Sequence, residues 1–383
     1  MSGTRPLLCA LAAAGTLLSV SAAAAETAPP PGKTLGFAVT SMPFALPRGE
    51  GVCPEGFAIA AKDIYLRSVS KAEQLRLLRP ENLEEFEKKA YHTPDGRDLC
   101  TAPDFKRAPM ITMQGKTGFG MDLDGSNGEA TESTCAHDKL TTPAGTKADN
   151  QVSRLLGCLS NYYGFSDGEL GYLESLRNQA YKDGGTTMLI DVSGVDDPRN
   201  DPDVTIGFYT GSDPMAIDVA GRFVPYASLS VTDETEMRAT GKGKIVDGVL
   251  IGEPVEIRLR YDLGGGKKVY HVHSGRLRLD IGSAAKDGSV KGMMAGYLSE
   301  EDVGINTSKG KQSGTEMIGI DCPSFHQAFQ RLADGGKDPA TGACTTISTA
   351  WDVHVIPAFV IHPEETQKSA AASPAPQAAE VKR

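Results

Sequence analysis

The chain has 383 residues and a formal net charge of −10, and 40% of its residues are hydrophobic. This length and composition supply enough apolar side chains for a sizeable core, in one large domain or two smaller ones. An acidic chain without clustered basic residues does not favour binding to nucleic acid or to an anionic membrane surface.

The first 25 residues have the pattern of a secretory signal peptide, because Arg5 precedes an apolar run that ends in small residues at Ala22–Ala25. We therefore expect a secreted or periplasmic protein. Residues 26–34 form a proline-rich lead and residues 364–383 a low-complexity tail, and both are predicted to be disordered. No later stretch is long and apolar enough to predict a membrane span.

Six cysteines follow the predicted signal peptide, and an even number in that position favours disulfides. No two of them have C-x-x-C spacing, which argues against a thiolate metal site and against c-type haem attachment. Each neighbouring pair encloses one local stretch of chain, so sequential pairing is the favoured connectivity. The predicted disulfides are Cys53–Cys100, Cys135–Cys158 and Cys322–Cys344.

Residues 35–183 show mainly helical patterns, after a short predicted strand at 35–39. Two of the predicted helices begin with a capping box, in which a serine and a glutamate three residues later satisfy backbone N–H groups at the helix start. A third has its apolar side chains at the spacing of a buried helical stripe and is capped by Asp149 or Asn150. The helices are predicted over 70–79, 81–91, 149–163 and 166–181.

From residue 184 the apolar period changes to two, which is typical of strands with one buried face. The clearest pair, 255–261 and 269–273, is joined by the glycines of 264–266. We therefore predict an α+β fold, in which a helical, disulfide-tied region over 35–183 precedes an antiparallel β-sandwich over 184–363. The other predicted elements are strands at 188–192, 204–209, 226–231, 243–251, 275–281, 289–297 and 349–361, and a helix at 323–332.

The acidic turn 122–128 is the first candidate metal site, with Asp122, Asp124 and Asn127 as ligands. Alternating oxygen-bearing side chains and glycines suit Ca²⁺, which takes six to eight oxygen ligands. The turn resembles the first half of an EF-hand loop, and this resemblance implies Ca²⁺ binding. It departs from that pattern at the sixth position, where Asn127 replaces glycine, and at the twelfth, where Ser133 replaces glutamate. The alternative is a turn closed by its own side-chain hydrogen bonds.

A second acidic loop connects two predicted strands and carries Asp196, Asp197, Asp201 and Asp203. Carboxylates this close repel one another unless a cation or Arg199 compensates their charge. The loop is therefore a second candidate for Ca²⁺, and an exposed polar connection is the alternative.

His271 and His273 are the third candidate, because residues two apart on a strand project from the same face, about 6–7 Å from each other. Two imidazoles suit Zn²⁺ or another transition metal if a third ligand faces them. His354, two residues after Asp352, is the predicted third ligand. The alternative is a polar sheet face that His271 and His273 share with Glu256 and neighbouring arginines.

No serine-hydrolase elbow, H-E-x-x-H motif, phosphate-binding loop or dinucleotide-binding motif is present, so no nucleotide cofactor is predicted. The sequence favours a secreted, non-catalytic binding or structural protein, stabilised by disulfides and by Ca²⁺, with a protein or small molecule of unknown identity as ligand. Two alternatives stay open: a secreted metal-dependent hydrolase with a His/carboxylate site, and an accessory subunit of a periplasmic or outer-membrane assembly.

Overall fold

A ring of eight antiparallel strands forms the centre of the fold in the computed structural model, which describes residues 33–162, 171–262, 267–304 and 320–363. The last strand of the ring pairs with the first, so the sheet closes into a barrel. In order around the ring, the strands are β1 (Lys33–Ser41), β4 (Met188–Val195), β5 (Asp201–Thr210), β7 (Ala239–Val246), β8 (Val249–Gly252), β10 (Lys267–Asp280), β11 (Val290–Ser299) and β13 (Cys344–Ile361).

Five further strands lie outside the ring among the described residues. Two of them form a separate small hairpin, and the others extend the barrel sheet by pairing with β10 or β13. They are β2 (Leu140–Thr141), β3 (Lys147–Ala148), β6 (Ala227–Ser230, parallel to β13), β9 (Val255–Asp262, antiparallel to β10) and β12 (Gly335–Lys337, antiparallel to β13).

The barrel core follows from the alternation of side chains along each strand. Strand pairing brings buried side chains level with one another, so that Ile190 lies opposite Phe208 and Met294 lies opposite Trp351. Trp351, the only tryptophan of the chain, is fully buried. The same core cluster contains Phe37, Ile190, Phe208, Leu250, Leu279, Met294 and Trp351.

The helices are short, and α4 packs against β13 and α7. Two predicted caps are confirmed: the Glu73 N–H donates to the side chain of Ser70, and the Ser153 N–H donates to the side chain of Asn150. The described helices are α1 (Ala61–Ser68), α2 (Lys71–Leu77), α3 (Leu83–Tyr91), α4 (Gln151–Leu156), α5 (Tyr172–Asp183), α6 (Glu300–Val303) and α7 (Cys322–Leu332).

The predicted arrangement of a helical N-terminal part followed by a β-sandwich is wrong, because the structure has a closed barrel and few helices. Strand β1 lies in the part predicted to be mainly helical, yet it pairs with both β4 and β13 and so closes the ring. Side-chain periodicity locates strands but does not report which distant strands pair. The contribution of β1 to the barrel was therefore missed.

The predicted disulfide pairing is also wrong, although all six cysteines that follow residue 25 form disulfides. Each bond joins segments that are more than a hundred residues apart. Two of the bonds form because the chain between residues 42 and 162 lies against the C-terminal elements, as the packing of α4 on β13 and α7 shows. The third, Cys53–Cys158, joins the two ends of that stretch, where the Ala58 N–H also donates to the Cys158 carbonyl. The observed pairs are Cys53–Cys158, Cys100–Cys322 and Cys135–Cys344.

Several predictions concern residues outside the described ranges: the signal peptide over 1–25, most of the lead, the tail over 364–383, the start of the helix at 166 and the glycines of 264–266. Lys33 and Thr34, predicted as part of the disordered lead, belong to β1. None of the helices in the described ranges is long and apolar enough to cross a membrane.

Candidate metal site

Glu256, His271 and His273 meet on one side of the paired strands β9 and β10, and we call these three residues the His/Glu site. The two imidazole rings project from the same side of β10, with their centroids 4.1 Å apart. Glu256 reaches them from β9. The candidate ligand atoms of the three side chains all lie within 4.8 Å of one another. Each side chain is partly exposed, so an ion can reach them from solvent.

A β-bulge positions these side chains. The pairing of β10 shifts after Val272 on the β9 side and after His273 on the β11 side. Ser274, within the bulge, has a φ of 50°, a left-handed conformation that is uncommon for residues other than glycine. A bulge bends a strand and re-aims its side chains. Here the Ser274 N–H donates to Glu256 Oε1 at 2.8 Å, which orients that carboxylate.

The second oxygen of Glu256 is directed at both histidines. Its Oε2 lies 2.8 Å from Nδ1 of His273 and 3.2 Å from Nε2 of His271. Partial burial acts to raise the pKa of Glu256, but the Ser274 hydrogen bond and the two neighbouring imidazoles hold it below its ordinary value. Glu256 is therefore an ionised carboxylate at neutral pH.

The backbone of β10 is also held at this point. The His271 N–H donates to Asp302 Oδ1 of α6 at 3.1 Å, and the other oxygen of Asp302 accepts from the Ser299 hydroxyl at the start of that helix. Strand β10 is thus held at this point by a hydrogen bond to α6, in addition to the hydrogen bond between Ser274 and Glu256. Support of this kind limits the rearrangement that metal binding requires.

Two imidazole nitrogens and one carboxylate oxygen form a ligand set of Zn²⁺ and of other first-row transition metals. A Zn²⁺ ion held by these three ligands keeps one tetrahedral position for water or for another ligand. The His/Glu site therefore has the donor chemistry and the convergence that a metal site of this class needs.

His354, the predicted third ligand, lies elsewhere. It is opposite Lys291 on β11, whereas His273 is opposite Tyr297 on the same strand. Those two β11 positions are separated by about 20 Å at the usual rise of a strand. The structure thus brings together His271 and His273 but supplies Glu256 in place of His354. The sequence predicted that Glu256 lies on the same face of the sheet as the two histidines. Its role as a ligand could have been predicted from the pairing of the two strands of the predicted hairpin, because that pairing brings residues of one strand opposite those of the other.

The first acidic turn surrounds a lysine. The Lys139 ammonium lies 2.7 Å from Asp122, 2.6 Å from Asp124 and 3.0 Å from Asp149. The turn also closes on itself, since the Gly125 N–H donates to Asp122 Oδ1. The predicted ligand Asn127 is exposed.

A buried histidine continues this cluster. His137 Nε2 lies 2.7 Å from Asp149 and 3.6 Å from Asp334, and its side chain is 6% exposed. Burial acts to lower the pKa of His137, but the hydrogen bonds to Asp149 and to the Cys135 carbonyl and the charges of both carboxylates raise it to about 9. His137 is therefore an imidazolium that joins the acidic turn to the chain segment before β12.

The second acidic loop is closed by one carboxylate. The buried Asp201 side chain accepts the backbone N–H groups of Asp196 and Asp203, and Asp203 pairs with Lys242 at 2.7 Å. Asp197 accepts the Arg199 N–H. Both acidic segments thus have protein donors on their carboxylates, and Ca²⁺ binding at either stays a prediction.

No protein-family model, no curated protein and no solved structure matches this chain. What the protein does is therefore inferred from the geometry of its own side chains.

Proposed function

We propose that this protein is a secreted, non-catalytic metal-binding protein that binds a divalent transition metal ion such as Zn²⁺ at the His/Glu site. The observation that carries the proposal is the convergence of three ligand atoms of suitable chemistry within 4.8 Å. A backbone N–H orients Glu256 from behind, as is usual for metal-binding carboxylates. The three disulfides are typical of proteins that fold in an oxidising compartment, which supports secretion.

The surroundings of the site favour binding over hydrolysis. Hydrolytic metal enzymes place the ion in a concave pocket that holds the substrate and excludes water. The clefts of about 670, 820 and 110 Å³ in the described part of the chain are lined by other side chains. The side chains of His271 and His273 are each 38% exposed and that of Glu256 is 57% exposed, so an ion bound to them would be in contact with solvent.

Calorimetric titration of the metal-free full-length chain with Zn²⁺ tests the proposal. We expect one ion per chain. Truncation of either imidazole, in His271→Ala or His273→Ala, should weaken binding at least about tenfold, and Glu256→Gln should weaken it in the same direction, because each change removes one of three ligands.

His354→Ala is the matched control, because His354 is an exposed histidine on a barrel strand, outside the His/Glu site. The affinity of the His354→Ala variant for Zn²⁺ should equal that of the wild type. Absence of saturable Zn²⁺ binding by the wild type would overturn the proposal. Unchanged affinity in His271→Ala and His273→Ala would overturn it equally. Far-UV circular dichroism of each variant shows whether the fold is retained.

A further inference from the structure

A cleft with a volume of about 820 Å³ lies between the outer face of the barrel and the segment 119–122, and the residues of the His/Glu site do not line it. We call it the outer cleft. Its floor is a row of cross-strand partners: Ile251 of β8 is opposite Arg278 of β10, and Arg278 is opposite Met293 of β11. Side chains at opposed positions project to the same face of a sheet. The three side chains therefore form one continuous floor.

Part of the lining of the outer cleft is apolar. Phe119 and Met121 form one wall above Ile251 and Met293 of the floor. Phe119 is 38% exposed and Ile251 is 36% exposed, so both present apolar surface that a ligand in the cleft can contact. Methionine side chains adapt to the shape of an apolar ligand. The surface therefore suits a hydrocarbon chain.

Two cationic side chains project from this surface. Arg278 and Lys291 both line the cleft and are exposed. Neither side chain has a hydrogen bond or an ion pair with any residue that the structure describes. Arg276 differs, because its guanidinium donates to the backbone carbonyls of Asp122 and Leu123. Arg278 thus lies in the middle of the floor, between Ile251 and Met293, and Lys291 lies two residues before Met293 on β11, where its charge also acts on Asp352.

The charge balance of the cleft also favours an anion. Its lining has four basic side chains and three carboxylates, and one of those carboxylates, Asp122, is already paired with Lys139. The whole chain, in contrast, has a formal net charge of −10. A local excess of positive charge on an acidic protein attracts anionic ligands selectively to that place.

We infer that the outer cleft binds a free fatty acid of medium chain length. The hydrocarbon chain would extend from Arg278 to one side, over Met293, Met121 and Phe119; Met293 and Met121 pack against the same core cluster. Arg278 can bind a carboxylate through two parallel hydrogen bonds, and Lys291 adds a second positive charge beside it. The volume lies within the usual range of small-molecule sites.

Titration of the full-length protein with decanoate, followed by calorimetry, tests this inference. We expect saturable binding of one molecule. Decanol, which has the same chain without the charge, should bind at least about tenfold more weakly, because a charge-assisted hydrogen bond contributes that much. Met293→Asp should also weaken decanoate binding, since it places a carboxylate on the apolar floor.

The double variant Arg278→Gln/Lys291→Gln should lose at least about tenfold in affinity for decanoate. Arg67→Gln/Lys71→Gln is the matched control, because it removes the same two charges from exposed positions on α1 and α2, outside the cleft, and should bind as the wild type does. Decanoate binding weaker than about 1 mM in the wild type would overturn the inference. Equal binding of decanol, or equal loss in both double variants, would overturn it as well. Failure here would leave the His/Glu site untouched, since the two regions share no residue.

Discussion

The Lys139 ammonium lies 2.6 Å from the Asp124 carboxylate, and the two side chains are only 2% and 3% exposed. Burial of a charge is costly unless an opposite charge and hydrogen bonds compensate it. Asp149, which is fully buried, also contacts the ammonium and accepts the Leu123 N–H. The acidic turn is therefore attached to the start of α4 through a buried cation that the chain itself supplies.

Replacement of Lys139 by methionine should destabilise the fold by about 3–5 kcal/mol, because it leaves buried carboxylates without their counter-charge. Urea unfolding measures this change. Lys244→Met is the control: Lys244 is exposed on β7, and its replacement should alter the free energy of unfolding by less than about 0.5 kcal/mol. A loss below about 1 kcal/mol in Lys139→Met would show that the ion cluster does not stabilise the fold.

The prediction that an acidic segment binds Ca²⁺ can be tested with the wild type and Lys139→Met. Thermal unfolding in Ca²⁺ and in EDTA should give different melting temperatures if either acidic segment binds the ion, since a ligand that binds the folded state stabilises it. An unchanged melting temperature of the wild type at low ionic strength would contradict the prediction. A shift only in Lys139→Met would assign the ion to the place of the lysine.

The raised pKa of His137, about 9, makes stability depend on pH. The folded state holds this proton more tightly than the unfolded state, in which an ordinary histidine has a pKa near 6.5. The stabilisation is therefore complete below about pH 6.5 and is lost as the pH rises through about 9, with a size on the order of 3 kcal/mol.

The variant His137→Gln should lose most of this dependence between about pH 6.5 and 9. Urea unfolding at a series of pH values compares it with the wild type. His92→Gln is the control, because His92 lies outside the buried cluster and the variant should keep the wild-type dependence. Parallel curves for the wild type and His137→Gln over this range would contradict the assignment.

Buried Asp334 should also make the folded state less stable as the pH rises, but at lower pH than His137 does. Burial raises its pKa to about 6, despite the hydrogen bond to the Ser348 N–H and the charge of His137. A carboxyl whose folded pKa is raised favours the folded state below its unfolded pKa, near 4, and this contribution is lost as the pH rises through about 6. The variant Asp334→Asn should therefore show a weaker decline between about pH 4 and 6 than the wild type does. A decline equal to that of the wild type would exclude Asp334 as its source.

Zn²⁺ should raise the thermal stability of the wild type if it binds the folded His/Glu site. At a free concentration one hundred times the dissociation constant, the expected stabilisation is about 2.7 kcal/mol. Differential scanning calorimetry should show the full shift in His354→Ala, and at most about half of that stabilisation in His273→Ala, in which binding is at least about tenfold weaker. An equal shift in both variants would place the ion at another site.

The disulfide connectivity makes a prediction that peptide mapping can check. Digestion without reductant should release linked peptides that join Cys53 to Cys158, Cys100 to Cys322 and Cys135 to Cys344. A peptide that links Cys53 to Cys100 would contradict the structure. Because the Cys100–Cys322 bond joins residues 222 positions apart, Cys100→Ser/Cys322→Ser should lose on the order of 5 kcal/mol on the chain-entropy account.

Local features of this protein could be read from its sequence. The caps Ser70 and Asn150 are where the residue pattern predicts them. The i, i+2 spacing placed the imidazoles of His271 and His273 on the same face of a strand. Such features depend on backbone hydrogen bonds and side-chain directions within a few residues, so neighbouring residues are enough to determine them.

Only the tertiary structure decided which distant segments meet. The closure of the barrel by β1 and β13, the partners of all six cysteines and the position of Lys139 among three carboxylates depend on contacts between remote parts of the chain. At the His/Glu site, the bulge at Ser274 shifts the strand register and directs Glu256 toward the imidazoles. A shift of one residue reverses which side chains share a face, and the local pattern of apolar residues does not encode where that shift occurs.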